Sequence, residues 1–252
     1  MKSMAELARV QVNSLFADKG KPVKRKNELG RIWFRGNPWP NGHAVTSCEW
    51  SARVERATGL WFDLHLITAN YYAEDPESGP NYCSDDADES DWESKTVWCN
   101  YHSCTLSSTY WPGNGFGFLA GSKGAPLDLA KISKQTFAFD DDPTDLASPR
   151  PFGIYLTGHD AVSAHRVNFK REPNKRTYAI SWSGKIAMAY AGSDEFRYSF
   201  DAKIKGVRFG GIKFPTGIST QDAREIAFPF VVDLYRKWQP QKTKTGLHFM
   251  PK

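Results

Sequence analysis

The chain has little of what usually announces an enzyme, a secreted scaffold or a membrane protein. Only four cysteines, Cys48, Cys83, Cys99 and Cys104, occur in 252 residues, too few for the dense disulfide framework that props up small secreted domains. No run approaches the roughly 18 uninterrupted apolar residues of a spanning helix, and the N-terminus has no apolar signal-peptide core. The expectation is a soluble, cytoplasmic protein without membrane contact. A serine elbow, a paired-histidine metal helix, a phosphate-binding glycine loop and a dinucleotide fingerprint are all missing, and no segment repeats at a fixed period. Weight therefore moves from catalysis toward binding, and no cofactor is expected.

Lysine and arginine are absent from one long stretch. Residues 74 to 93 hold nine acids, among them Asp85, Asp86, Asp88, Glu89 and Asp91, and no basic residue. The formal net charge is only +5, so the rest of the chain is strongly basic, with 33 basic and 19 acidic residues. The spacing around Asp86 to Ser90 invites a calcium loop, but no glycine stands at the sixth position and Val97 occupies the twelfth, against an EF-hand.

Aromatic residues are plentiful at 14%, and rings favour strands. From Ala44 to Val54 the residues Ala44, Thr46, Cys48, Trp50, Ala52 and Val54 alternate with a mostly polar set; Leu60, Phe62, Leu64 and Leu66 repeat the pattern after Arg56-Ala57-Thr58-Gly59. Pairing Val54 with Leu60 sets Trp50 opposite Leu64 and Cys48 opposite Leu66, so both apolar faces coincide; a slip of one residue would destroy the match. A second region, 152 to 214, reads as a meander. Tyr178, Ile180 and Trp182 precede a turn at Ser183-Gly184-Lys185, and Phe200, Ala202 and Ile204 precede a two-residue turn at Lys205-Gly206. The reverse face, with Ala179 and Ser181, is small enough for another element to approach. Lys95 to Trp111, rich in Thr, Val, Trp and Tyr, reads as a strand.

Residues 3 to 18 predict a short N-terminal helix, followed by the basic linker Lys19 to Lys26. Near the C-terminus Ser219 or Thr220 caps a stripe of Ala223, Ile226, Ala227, Phe230, Val231, Leu234 and Trp238 at helical spacing, with Pro229 kinking or dividing it. The predicted class is α+β: a predominantly antiparallel hairpin and meander sheet or open barrel, with a short N-terminal helix and an amphipathic C-terminal helix packed on the sheet. Residues 1–30 form the helix and linker, 31–240 one β-rich domain with a candidate sub-boundary near 140–151, and 241–252 a Lys-rich mobile tail.

Three constellations could carry chemistry. The hairpin register places Glu49 opposite His65, with Asp63 two residues away; a carboxylate beside an imidazole raises its pKa and makes an acid/base pair. His102 and Cys104 project together from a strand as metal ligands, whereas Cys99 points the other way. Gly158-His159-Asp160 is a polar loop after a strand. A nucleic-acid surface drawn from His165, Arg166, Lys170, Arg171, Lys175 and Arg176 is not expected, because Tyr178 and Trp182 face the core and cannot stack. The leading expectation is a protein of inhibitor or immunity type that binds a partner with a basic surface through the acidic segment. The alternative is a small-molecule binder or enzyme with a cavity between the aromatic-lined sheet and the C-terminal helix.

Overall fold

The computed structural model describes residues 28–74, 88, 90–110, 117–141 and 150–252. The predicted N-terminal helix and basic linker lie outside them. The first strand, β1 (Gly30–Phe34), leads through the Pro- and Gly-rich turn to β2 (His43–Glu55). Arg31 holds that turn, donating from Nε to the Asn41 carbonyl and from Nη2 to the Gly42 carbonyl, both at 2.8 Å. β2 and β3 (Gly59–Thr68) form the predicted hairpin in the predicted register: Val54 faces Leu60, Ala52 Phe62, Trp50 Leu64 and Cys48 Leu66. The alternation of apolar residues selects this register because any other would turn Trp50 and Phe62 out to water.

The 95 to 111 segment is not one strand. It begins as a helix, α1 (Lys95–Asn100), whose Ser94 hydroxyl accepts from the Val97 amide. The Trp98 indole donates to the Trp92 carbonyl at 2.8 Å. Consecutive burial of Val97, Trp98 and Cys99 overrides the strand propensity of Thr96 and Val97. Among the segment's described residues only β4 (Thr105–Ser107) is a strand. Short strands follow: β5 (Phe118–Gly121), β6 (Thr136–Phe139) and β7 (Gly153–Tyr155).

The second region also departs from its predicted turns. β8 (Ala161–Arg171) and β9 (Tyr178–Ala187) form a long hairpin, and β9 runs straight through Ser183-Gly184-Lys185. Gly184 is chosen there for contact, since a Cβ would meet the Phe200 ring at 2.7 Å. β10 (Tyr198–Val207) likewise continues past Lys205-Gly206. The left-handed Gly206, φ 72°, makes a bulge between Ile204 and Val207 in place of a hairpin turn. The same conformational freedom serves either purpose, and the pairing of β10 with both β9 and β1 decides for the bulge.

β11 (Phe209–Phe214) is followed by α2 (Thr220–Ala227), capped by the Ser219 hydroxyl as predicted. Pro229 divides the C-terminal helix: a 3-10 turn at Phe228–Phe230, left-handed Asp233 and the single turn α3 (Leu234–Lys237) replace a continuous helix. The apolar stripe still reaches the core, with Ala223, Ala227, Phe230, Val231, Leu234 and Trp238 buried. It does not cover Ala179 and Ser181; Ser181 is exposed. The Lys-rich C-terminus, expected as a tail, is a hairpin of β12 (Trp238–Thr243) and β13 (Gly246–Pro251). Leu247 and Phe249 are buried, and β13 pairs with β11, which is why the segment has a fixed place.

Among the described residues thirteen strands make one sheet, in the order β12-β13-β11-β2-β1-β10-β9-β8-β6, with β3 branching from β2 to pair with β4 and β5. Pairing is antiparallel except between β11 and β2. The sheet curls into a half-barrel because rings from strands far apart in this order meet inside. Trp50 of β2 stacks on Phe169 of β8 at 4.3 Å, and Phe118 of β5 on Phe139 of β6 at 4.5 Å. One core runs through strands on both sides of the proposed 140–151 sub-boundary. No helix among the described residues is long and apolar enough to cross a membrane.

Candidate functional site: a cationic cleft

The hairpin triplet does not assemble into an acid/base pair. Glu49 does stand opposite His65, but burial lowers the His65 pKa more than Glu49 raises it, the reverse of the expected direction. The ring stacks on Tyr110 at 5.8 Å. Asp63 is engaged elsewhere: its carboxylate pairs with the Arg53 guanidinium and accepts from the Ser108 hydroxyl at 3.0 Å. Burial raises its pKa against those contacts.

His102 and Cys104 are not brought together either. The α1 helix ends at Asn100 and His102 takes a left-handed φ of 67°, so its side chain is exposed while Cys104 is fully buried. Burial pushes the Cys104 thiol up and keeps it protonated. Among the described residues no group of three His, Cys, Asp or Glu side chains converges on a metal position. Of the acidic segment, Asp88 and Asp91 are described and exposed. Asp88 accepts from the Ser90 amide at 2.9 Å and Asp91 from the Glu93 amide at 3.0 Å, which makes them turn caps. Asp85, Asp86 and Glu89 lie outside the described residues. In the 158–160 loop Asp160 is a brace, accepting from the Thr157 amide at 3.0 Å and hydroxyl at 3.1 Å.

The feature with chemical character lies between the β8–β9 hairpin and the C-terminal segment. There a cleft of about 790 Å³ opens, within the size range of sites that hold one small ligand. Its apolar floor includes Leu129, Tyr178, Phe209, Val232, Trp238 and Met250. Tyr178 and Trp238 are only 7% and 4% exposed, and Phe209 meets Trp238 edge-on at 5.9 Å. Behind them Trp50 packs on Phe209 at 4.5 Å, so the floor is backed by the central strand.

Cations make the rim. Arg171, Lys175 and Arg176 come from the β8–β9 hairpin, Arg208 from the junction of β10 and β11, and Arg236, Lys237 and Lys252 from the C-terminal segment; Asp128 is the acid among the lining residues. Lys237 is neutralised by Asp233 at 2.9 Å, and Lys252 reaches the Tyr235 carbonyl at 3.4 Å. Among the described residues Arg171, Arg176 and Arg208 have no carboxylate partner, while Arg236 shares the charge of Asp233 with Lys237. All four arginines are exposed. Like charges gathered around a low-dielectric floor focus a positive potential into the cleft and draw anions to it.

The walls are held by strand addition and by one cross-chain tie. The Leu127 amide donates to the Phe230 carbonyl at 2.8 Å and the Val232 amide to the Leu127 carbonyl at 2.9 Å, which fixes Asp128 and Leu129 beside the C-terminal segment. Sequence reasoning found Arg171, Lys175 and Arg176 but not Arg208, Arg236, Lys237 or Lys252. The basic surplus outside residues 74 to 93 was the available signal, and nothing in it tells which cations share a wall.

Comparison with protein-family models, curated proteins and solved structures finds no match to this chain.

Proposed function

We propose that this protein binds an organic anion in the cationic cleft. The apolar part of the ligand lies on the floor of Tyr178, Phe209 and Trp238, and its charged groups meet the arginines of the rim. The carrying observation is the set of four exposed arginines, Arg171, Arg176, Arg208 and Arg236, grouped around that floor, the first three without a carboxylate partner among the described residues. Guanidinium groups bind phosphate and carboxylate in bidentate fashion, so the rim favours a ligand with more than one anionic oxygen. The reading develops the predicted cavity between the sheet and the C-terminal helix, with a cytoplasmic site of action.

Thermal unfolding and calorimetric titration against pyrophosphate and nucleoside mono-, di- and triphosphates test it. A ligand present at about 100 times its Kd stabilises the fold by about 2.7 kcal/mol, and the double variant R208Q/R236Q should bind at least about tenfold more weakly, a loss of about 1.4 kcal/mol. Absence of binding across the panel, or equal binding by the double variant, would reject the cleft.

Recognition of a basic protein through residues 74 to 93 is the competing proposal, carried by the nine acids of that stretch. Replacing them by Asn and Gln and repeating a co-purification separates the two. The competing proposal requires that a partner be lost, the cleft reading that anion binding persist.

A further inference from the structure

We propose that the cleft takes one nucleotide unit of a single-stranded nucleic acid, and that the neighbouring phosphates of the strand run across the outer face of β8, β9 and β10. This rests on the anion-binding reading of the cleft and names its ligand class.

The cleft and the outer face meet at the β8–β9 hairpin. Successive strand residues point to opposite sides, so Arg171 lines the cleft while Lys170 stands on the outer face. Along β10 and its exit the same change of side occurs between Lys203 and Arg208, across the Gly206 bulge. Outward positions of the three strands carry Arg166, Asn168 and Lys170; Ala179, Ser181 and Lys185; Lys203 and Lys205. Asn168, Ser181 and Lys203 lie in one cross-strand row. The centre is therefore low and polar, with cations standing around it. Ser181, Lys185 and Lys203 are exposed.

The acids near this face leave three lysines unneutralised. Asp141 lies 3.9 Å from Arg166, and Asp201 lies 3.4 Å from Arg35, with all four side chains largely exposed. Glu172 accepts from the Thr177 hydroxyl at 2.5 Å and the Gly206 amide at 3.1 Å. Among the described residues Lys170, Lys185 and Lys203 have no carboxylate partner. Outward residues on a strand recur every ~6.8 Å, close to the length of one extended nucleotide unit. Among the described residues of β8, β9 and β10 no exposed ring stands on this face, so it reads phosphates, and the cleft floor, where Leu129, Val232 and Met250 keep partial exposure, is where a base finds an apolar surface. A base reaches a recessed floor only when it is out of its stack, which selects a single strand over a duplex.

Fluorescence anisotropy with oligothymidylate of about ten nucleotides, within the site sizes of single-strand binders, and calorimetry with thymidine monophosphate test the inference. The oligonucleotide should bind at least about tenfold tighter than the mononucleotide at low salt. Log affinity should fall with log salt at a slope of about 0.7 per phosphate contacted. The variant K170Q/K185Q/K203Q should lose oligonucleotide affinity and flatten that slope while binding thymidine monophosphate unchanged. An oligonucleotide no tighter than the mononucleotide, a triple variant with wild-type affinity and slope, or a duplex bound as well as the strand each overturns the inference and leaves the cleft reading standing. Absence of thymidine monophosphate binding by wild-type protein also overturns the inference, and only absence of binding across the whole anion panel removes the cleft reading with it.

Discussion

Trp50 is the side chain on which the two halves of the sheet converge. Phe62, Phe169, Tyr178 and Phe209 lie within 5.2 Å of its ring, centroid to centroid, and its indole N–H is buried without a partner. W50A should cost about 3 to 5 kcal/mol in urea unfolding. W50F, which keeps a ring and removes the orphaned donor, should cost less than half as much. Equal losses would mean that volume alone matters there.

Three buried titratable groups act in opposite senses at the same scale. Burial lowers His43 and His165 to about 3, helped at His43 by Arg31. The Trp182 indole donates to Nδ1 of His165 at 3.1 Å, which suits the neutral ring. A folded pKa below the unfolded one means that each histidine contributes stability in full above pH 6.5 and loses it as the pH falls toward 3. Asp140 works the other way. Burial raises its carboxyl to about 7 against the hydrogen bonds from His165 and Ser163. The folded state then holds a proton that the unfolded state has released, so stability falls as the pH rises from about 4 to about 7. D140N keeps the acceptor for the His165 amide and suits the left-handed φ of 51°. Its stability relative to wild type should therefore grow with pH over that window, by on the order of 1.4 kcal/mol per unit. Urea unfolding at three pH values measures it, and a difference independent of pH would show that Asp140 does not titrate there.

At the scale of elements, glycines separate what a local pattern can do from what contact demands. Gly30 (φ 157°) lies so close to β10 that a Cβ would stand 2.0 Å from the Lys203 carbonyl oxygen, whereas Gly206 has open space around it. G206A should cost only its left-handed backbone, about 1 to 2 kcal/mol. G30A must separate β1 from β10 and should lower the midpoint of thermal unfolding much further. Similar midpoints for the two variants would contradict this pairing. Removing residues 244–252 makes a parallel test of the C-terminal hairpin. Loss of buried Leu247 and Phe249 should cost at least about 3 kcal/mol and leave the β11 edge open to aggregation. An unchanged urea midpoint would restore the tail reading.

At the scale of the whole molecule the charge distribution and the curl of the sheet matter together. The hairpin of β2 and β3 was legible residue by residue, because a period of two with Trp50 and Phe62 on one face admits one register. The same logic marked β8 and the inner faces of β9 and β10. It failed at Ser183-Gly184-Lys185 and Lys205-Gly206, where turn chemistry and bulge chemistry use the same residues, and at Lys95 to Asn100, where three consecutive buried side chains favoured a helical turn. The candidate site was legible only in part. Arg171, Lys175 and Arg176 stood out as a basic hairpin, while Glu49, His65 and Asp63 looked more promising than the burial of the ring and the Arg53 contact allow. Alternation of side chains along a strand is a local property, so the sequence by itself determined which faces are apolar, where β2 meets β3, and that Pro229 ends a helix. Which strands become neighbours across long loops is set by the free energy of burying those faces together. For that reason only the tertiary structure decided that β11 lies parallel to β2, that the C-terminus folds back as a hairpin, and that arginines from 171 to 236 face one another across a single cleft.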